Sequence, residues 1–266
     1  MYNTPTSMFR KENNKVHIVN LFVAERRDGN LTNLTCQIAP GVWTIMTYED
    51  SWKSFINNYV LERDGRFYLV DSNLRKHRPY FQSALKEIGV SDDNVQDVLY
   101  THRLADHIGN VELFSTSQNW IHLHDFFELD DYSQSLFGHS FAGEQGRVGF
   151  FQFKNLPTYT EGSVAYYDDK TKVCFIGDHL HFFGVPVDQV VGYQEHGRSE
   201  LLNSLTTWLH NNPSRDEVRG FMDATRSLND WPIEILATGH GPILQGDVQV
   251  FLKDVVQLLG TYVDDK

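Results

Sequence analysis

One stretch of nine residues constrains this chain more than any other. Directly after the apolar run Val98-Leu99-Tyr100 come Thr101-His102-Arg103-Leu104-Ala105-Asp106-His107-Ile108-Gly109, a dense group of imidazole and carboxylate side chains. Such a run reads as a buried strand that delivers its last residues to a site at its carboxyl end, where layered α/β proteins collect ligands. Two further short strands end the same way. Val173 to Ile176 leads through Gly177 to Asp178, and Ile233 to Ala237 leads to His240, held between Gly239 and Gly241. Rigid strands ending together in this manner gather metal ligands from distant positions in a chain.

The rest of the sequence fits a layered α/β domain. Val16 to Val23, Val42 to Thr47, Asn58 to Leu61 and Phe67 to Val70 read as early strands, separated by turn residues such as Asp28-Gly29-Asn30 and Asp64-Gly65. Their succession suggests a meander. Further strands are expected over Val95 to Tyr100, Trp120 to Leu123, Val148 to Phe153 and Ser163 to Tyr167. Apolar residues at helical spacing predict a helix over Pro79 to Ile88, stopped by Gly89, another through Leu201 to Leu209, and a last one from Val250 before Gly260. With no repeat, low-complexity tract or linker, one domain is expected over residues 1–266, preceded by an amino-terminal extension over 1–40. That extension either covers a sheet edge or joins a homodimer contact; both stay open.

Charge and apolar pattern exclude several function classes. A formal net charge of −12 repels phosphate backbones, so no nucleic-acid partner is expected. The one basic cluster, Arg75-Lys76-His77-Arg78, reads as a solvated helix end. No window approaches the roughly 18 apolar residues of a membrane helix, and the start lacks the layout of a signal peptide. A cytoplasmic protein without a membrane partner is the expectation. Cys36 and Cys174 lie too far apart for a thiolate metal knuckle, and Cys174 reads as core packing.

Taken in order, these stretches resemble the metallo-β-lactamase fold superfamily. Its signature T-H-x-H-x-D-H-x-G is matched by Thr101 to Gly109, its H-T-P-G-S-like turn by Tyr159-Thr160-Glu161-Gly162-Ser163, and its G-D and G-H-G by Gly177-Asp178 and Gly239-His240-Gly241. Asn58 to Glu62 and Leu69 to Asn73 resemble the two strands that lead to its Asp-Thr-Gly-like turn. The similarity runs over roughly residues 41 to 259. The resemblance implies an α/β fold, a four-layer αββα sandwich with a two-metal site.

Two positions depart from the pattern. The second histidine of the signature is Leu104 and the histidine of the turn is Tyr159. The family's first metal set therefore reads His102, Leu104, Tyr159. Leucine has no lone pair, and a phenol with a pKa near about 10 is a poor zinc ligand at neutral pH. The second set survives as Asp106, His107 and His240, with Asp178 in the position that bridges both metals. The resemblance then implies one divalent ion, zinc first and iron or manganese as alternatives.

It also implies a metal-dependent hydrolase of a small ester, thioester, lactone or similar acyl substrate, using a single metal-bound hydroxide. Asp178 is either a fourth ligand or a base that orients the water. His102 either faces the cavity as a hydrogen-bonding group or is a satisfied polar residue. Tyr159 either presents its hydroxyl to a substrate oxyanion or fills the volume of the missing histidine, with packing the expectation. His122, His124, His179 and His181 are read as non-ligands, and Leu104 with Phe182 and Phe183 suggests a dry, apolar pocket. The alternative is a catalytically inactive relative that keeps the fold as a scaffold for a small molecule or a partner.

Overall fold

The computed structural model describes residues 20–27, 30–91, 93–180 and 194–264. Eight strands form the first sheet in chain order: β1 (Asn20–Arg27), β2 (Asn30–Ala39), β3 (Val42–Glu49), β4 (Ser54–Arg63), β5 (Arg66–Val70), β6 (Val95–Leu99), β7 (Asn119–His122) and β8 (His139–Phe141). The first five pair antiparallel as the expected meander, and from β5 onward the pairing is parallel. The second sheet is built from β9 (Gln145–Val148), β10 (Phe151–Asn155), β11 (Val164–Asp168), β12 (Val173–Phe175), β13 (Ile235–Ala237) and β14 (Leu244–Gln245). Within it only β12 and β13 run parallel, so their carboxyl ends emerge side by side.

Four layers follow from where the apolar side chains go. Met46, Phe55 and Tyr59 of the first sheet meet Phe151, Phe153, Tyr166 and Phe175 of the second, which makes the central core. The outer face of the first sheet, with Ile45, Val60 and Leu69, is covered by Phe81, Ala84 and Leu85 of α1 (Arg78–Ile88). Three short helices, α2 (Ala105–Ile108), α3 (Leu123–Phe127) and α4 (Asp131–Ser135), lie in the connections. The outer face of the second sheet is covered by α5 (Gln194–His210), α6 (Arg215–Leu228) and α7 (Val248–Asp264). Each sheet thus buries both faces, one on its partner and one on helices, which gives the αββα order. No helix among the described residues is long and apolar enough to cross a membrane.

Several elements differ from the sequence expectation. The amino-terminal extension enters the sheet as β1 and β2, with β2 paired to β3 along its length. Residues Val16 to Val19 of the expected first strand lie outside the described residues. The single strand expected over Val148 to Phe153 is a tight hairpin, β9 and β10, because Gly149 takes the left-handed φ of +57° that a turn there demands. The last helix runs through Gly260 to Asp264. A Cβ at Gly260 would sit 3.8 Å from Met222 Sδ of α6, an ordinary contact, so no close approach requires glycine there. Helix α6 has no counterpart in the sequence expectation. It buries Val218, Met222, Thr225 and Leu228 along one stripe, flanked by the partly buried Phe221 and Ala224, and it starts in a capping box between Ser214 and Glu217.

Candidate metal centre

Three strand ends and one short helix build the site. Behind β6, Thr101 and His102 continue the chain into α2, whose single turn carries Asp106 and His107, both buried. Behind β12 comes Asp178 and behind β13 comes His240, brought together because Phe175 pairs with Ala237 across the parallel ladder. The loop around His240 also bonds to the first sheet: Asn57 N–H donates to Gly239 O at 2.8 Å and Gly241 N–H to Phe55 O at 3.1 Å. The centre therefore sits on the seam between the two sheets.

Glycines beside the donors are required by close approach. A Cβ on Gly239 would lie 2.5 Å from Asp178 Oδ1 and 2.8 Å from Gly177 O. On Gly177, at φ +50°, it would meet Thr101 Oγ1 at 2.7 Å. The glycines in G-D and G-H-G thus admit the neighbouring side chains rather than act on a ligand.

Asp106, His107, Asp178 and His240 offer donor atoms that all lie within 4.8 Å of one another. His107 Nε2 stands 3.3 Å from Asp106 Oδ2 and 3.1 Å from Asp178 Oδ1. His240 Nε2 stands 3.0 Å from Asp106 Oδ2 and 3.2 Å from Asp178 Oδ1. A tetrahedral ion with bonds of about 2.1 Å has edges of about 3.4 Å, so these separations suit one ion at the centre. His107 Nε2 is buried and makes no hydrogen bond, a costly arrangement that a metal would relieve. Both imidazoles are turned to this task from behind. Asp71 Oδ2 lies 2.8 Å from His107 Nδ1, and Phe55 O lies 3.1 Å from His240 Nδ1, so each ring donates through Nδ1 and aims Nε2 inward.

Electrostatics agree with the donor chemistry. Burial alone would raise the carboxyl pKa values, but His107 and His240 outweigh it and hold Asp106 and Asp178 below the usual carboxylate range. Burial likewise opposes protonation of the rings. Asp178, Asp71 and Asp106 nonetheless raise His107 above its ordinary value, and Asp178 with Asp106 lifts His240 to about 9. The carboxylates that raise both imidazoles are the ones that would share a metal ion, so protons and metal compete for the same Nε2 atoms.

His102 is buried beside this set. Its ring centroid lies 3.9 Å from that of His107, and Nε2 stands 3.7 Å from Asp178 Oδ2. Thr101 Oγ1 donates to Asp71 Oδ2 at 2.8 Å, so it accepts from His102 Nδ1 at 3.1 Å. That fixes the tautomer: Nε2 carries a lone pair, is buried, and has no hydrogen-bond partner. Burial and the neighbouring His107 push its pKa down to about 4, so the ring is neutral.

Tyr159 does not fill the space of a lost histidine. It is 47% exposed, with its ring edge-on to His102 at 5.7 Å, because its turn carries it to the rim. A cavity of about 480 Å³ opens here, with Asp178 and Tyr159 at one end and Leu180, Leu201, Leu205, Trp208 and Phe221 along its walls. Leu104 contributes nothing to it and lines a separate groove with Arg103 and Ile108. Phe182, Phe183 and His181 lie outside the described residues. The apolar character expected of the pocket thus comes from α5 and α6. His179 binds the hydroxyls of Thr158 and Thr225 through its two ring nitrogens, at 2.9 Å each. His122 ends β7 and His124 lies in α3, both apart from the four-residue cluster.

Three residues of the site escaped the sequence reading. Asp71 follows β5 in a left-handed conformation, φ +62°, and binds His107, Thr101 Oγ1 and Thr101 N–H together. Only its place in an Asp-Thr-Gly-like turn signalled it. Asp125, fully buried, accepts from Arg103 N–H, Arg103 Nη1, Thr160 Oγ1 and Gly162 N–H. It ties the loop of Leu104 to the turn of Tyr159, and nothing in the local sequence marks it. Trp52 packs edge-on to His240 at 5.6 Å from outside.

Solved structures repeat this architecture at low identity. A flavo di-iron protein from Thermotoga maritima has 17% identity and a TM-score of 0.70, over 86% of this chain and 61% of that one. A diflavin flavoprotein fragment from Nostoc sp. PCC 7120 has 15% identity and a TM-score of 0.69, over 88% of this chain and 98% of the fragment. The flavodiiron protein of Giardia intestinalis has 14% identity and a TM-score of 0.66, over 87% of this chain and 59% of that one. The chain thus spans about 61% of the length of the Thermotoga protein. No curated protein sequence matches it. The family model described as the metallo-beta-lactamase superfamily matches residues 52–243, and the chain belongs to that superfamily.

Proposed function

We propose that this protein is a hydrolase of a small ester, thioester, lactone or similar acyl compound that works with one divalent ion held by Asp106, His107 and His240 beside Asp178. One observation carries the reading: four buried donors stand at the spacing of one coordination shell, beside a cavity that reaches Asp178. The structural neighbours described as di-iron proteins suggest a second ion, but in the family pattern the other ligand set reads His102, Leu104 and Tyr159. His102 with a shared Asp178 leaves that set two ligands short.

With Asp106, His107 and His240 as its ligands and Asp178 as a base, a zinc ion would keep an open position, where a bound water with a pKa of about 7 would supply hydroxide at neutral pH. With Asp178 as a fourth ligand the tetrahedral site would be closed and structural. The chain's own groups supply the rest. Asp178 turns Oδ1 toward the imidazoles and Oδ2 toward His102, so one oxygen would face the ion and the other the lone pair of His102. The lone pair on His102 Nε2 accepts a hydrogen bond from that water and orients it. Tyr159, half-exposed at the rim, donates its hydroxyl to the substrate carbonyl oxygen. Water adds to the acyl carbon, the bond to the alcohol or thiol breaks, and the proton passes to the leaving group.

A second reading is favoured by the likeness to flavo di-iron proteins: the same four residues hold iron, in a redox role. Elemental analysis of the purified protein, and of Asp106→Ala with His240→Ala, separates the readings. About one equivalent of zinc, lost in the double variant, together with turnover of an ester, thioester or lactone series, supports the hydrolase. Iron with visible absorption that changes on reduction, and no ester turnover, favours the redox reading. No metal after reconstitution with zinc, iron or manganese sinks both and leaves a binding scaffold.

A further inference from the structure

We propose that the cavity beside the candidate metal centre takes an apolar acyl chain whose far end is neutral or positively charged, and that it turns away anionic acyl groups. The inference rests on the hydrolase reading for the word acyl, but not for the charge preference. Its walls are Leu180, Leu201, Leu205, Trp208 and Phe221, which favour a hydrocarbon chain over a polar one. The charged groups that line it are all acidic: buried Asp178, and Asp216 and Glu217, both exposed in the first turn of α6 and so screened by solvent. No lysine or arginine is among the described lining residues. Its one histidine, His179, has both ring nitrogens bonded to threonine hydroxyls and its ring stacked on Phe221 at 4.5 Å. Arg219 pairs with Asp216 at 3.4 Å, but this contact is exposed and weak. A chain of net charge −12 adds no compensating field.

Gly220 gives a second, independent observation. It lies inside α6, where glycine is a poor helix former, and it lines the cavity. A Cβ there would have no heavy atom within 4 Å. In α7, Gly260 has a packing partner in Met222, whereas Gly220 has none. Gly220 is exposed on the cavity's lining, so a large side chain there, such as tryptophan, has room to lie across the opening.

The test uses the full chain loaded with zinc and three probes of equal chain length: octyltrimethylammonium, octanol and octyl sulfate. Binding is read by calorimetry and by the fluorescence of Trp208. The first two are expected to bind roughly tenfold tighter than the sulfate. Gly220→Trp should weaken all three, with thermal unfolding unchanged or improved. Asp216→Asn with Glu217→Gln, which keeps the capping box, should bring the sulfate to within about threefold of the ammonium. Equal binding of the ammonium and sulfate probes by the wild type, or binding indifferent to Gly220→Trp, overturns the inference. Turnover of matched thioesters ending in an amine or a carboxylate separates it from the reading beneath. If neither is hydrolysed while the binding order holds, the hydrolase fails and the cavity preference stands. If both are hydrolysed equally well, the reverse holds.

Discussion

The Oδ2 atom of Asp178 stands 3.7 Å from Nε2 of His102, too far for a direct hydrogen bond. Asp178 can only accept, and His102 Nε2 is held as an acceptor by Thr101 and Asp71. A polar group that approaches either atom must therefore donate to it. His102→Ala is therefore expected to keep about one equivalent of metal, while kcat falls about 100-fold with little change in KM. Loss of the metal in this variant would make His102 a ligand instead.

Metal binding should be coupled to pH. In the metal-free protein burial opposes the charge on His240, but Asp178 and Asp106 outweigh it and raise its pKa from 6.5 to about 9. A raised pKa stabilises the fold fully below 6.5, and that contribution is lost as pH rises through about 9. Chelated protein should thus lose thermal stability from neutral pH toward pH 9, whereas metal-loaded protein should not. Calorimetry in buffers of different ionisation enthalpy should find protons released as the ion binds at pH 7, and weaker binding as pH falls. Binding without proton release would contradict protonated rings in the free site.

Gly239→Ala tests the tight approach behind the centre. The added methyl meets Asp178 Oδ1 and the Gly177 carbonyl, and neither is free to move far, since Asp178 also faces both imidazoles. A stability loss of about 1–3 kcal/mol is expected from overpacking, together with reduced metal content. Denaturant titration that shows no loss would mean that the loop can retreat.

Asp125→Ala should loosen the rim. It removes four hydrogen bonds from a fully buried carboxylate. The expected cost is about 2–3 kcal/mol, less than for a fully buried pair, because Arg103 reaches water. Metal content should stay near that of the wild type, since Asp125 touches none of the four donors. If metal were lost as well, the rim and the centre would form one unit.

The donor positions were legible because each follows a short apolar strand and a glycine or a one-turn helix, a local pattern that a single sequence carries. Asp178 and His240 needed no contact information, only β12, β13 and the turns behind them. Tyr159 was legible as a departure but not in its orientation, which depends on how Asp125 anchors the turn through Thr160 and Gly162. Asp71 meets His107 across 36 positions of chain, a distance no periodicity reports. The cavity was unreadable for the same reason. Its walls come from a turn near 157–159, the end of β12 and two helices; α6 was readable from its capping box and the spacing of Val218, Phe221, Met222, Thr225 and Leu228, but which wall it builds was not.

The position of the centre on the seam has a mechanical consequence. Asp106 and His107 belong to the first sheet, and Asp178 and His240 to the second. One ion would rivet the two halves of the sandwich and close a chain loop from His107 to Asp178, with a loop-closure benefit of the kind a disulfide gives. Such a rivet would retain its structural value even where turnover is slow. A chain with leucine at 104 and tyrosine at 159 would then still gain stability from the other four ligands.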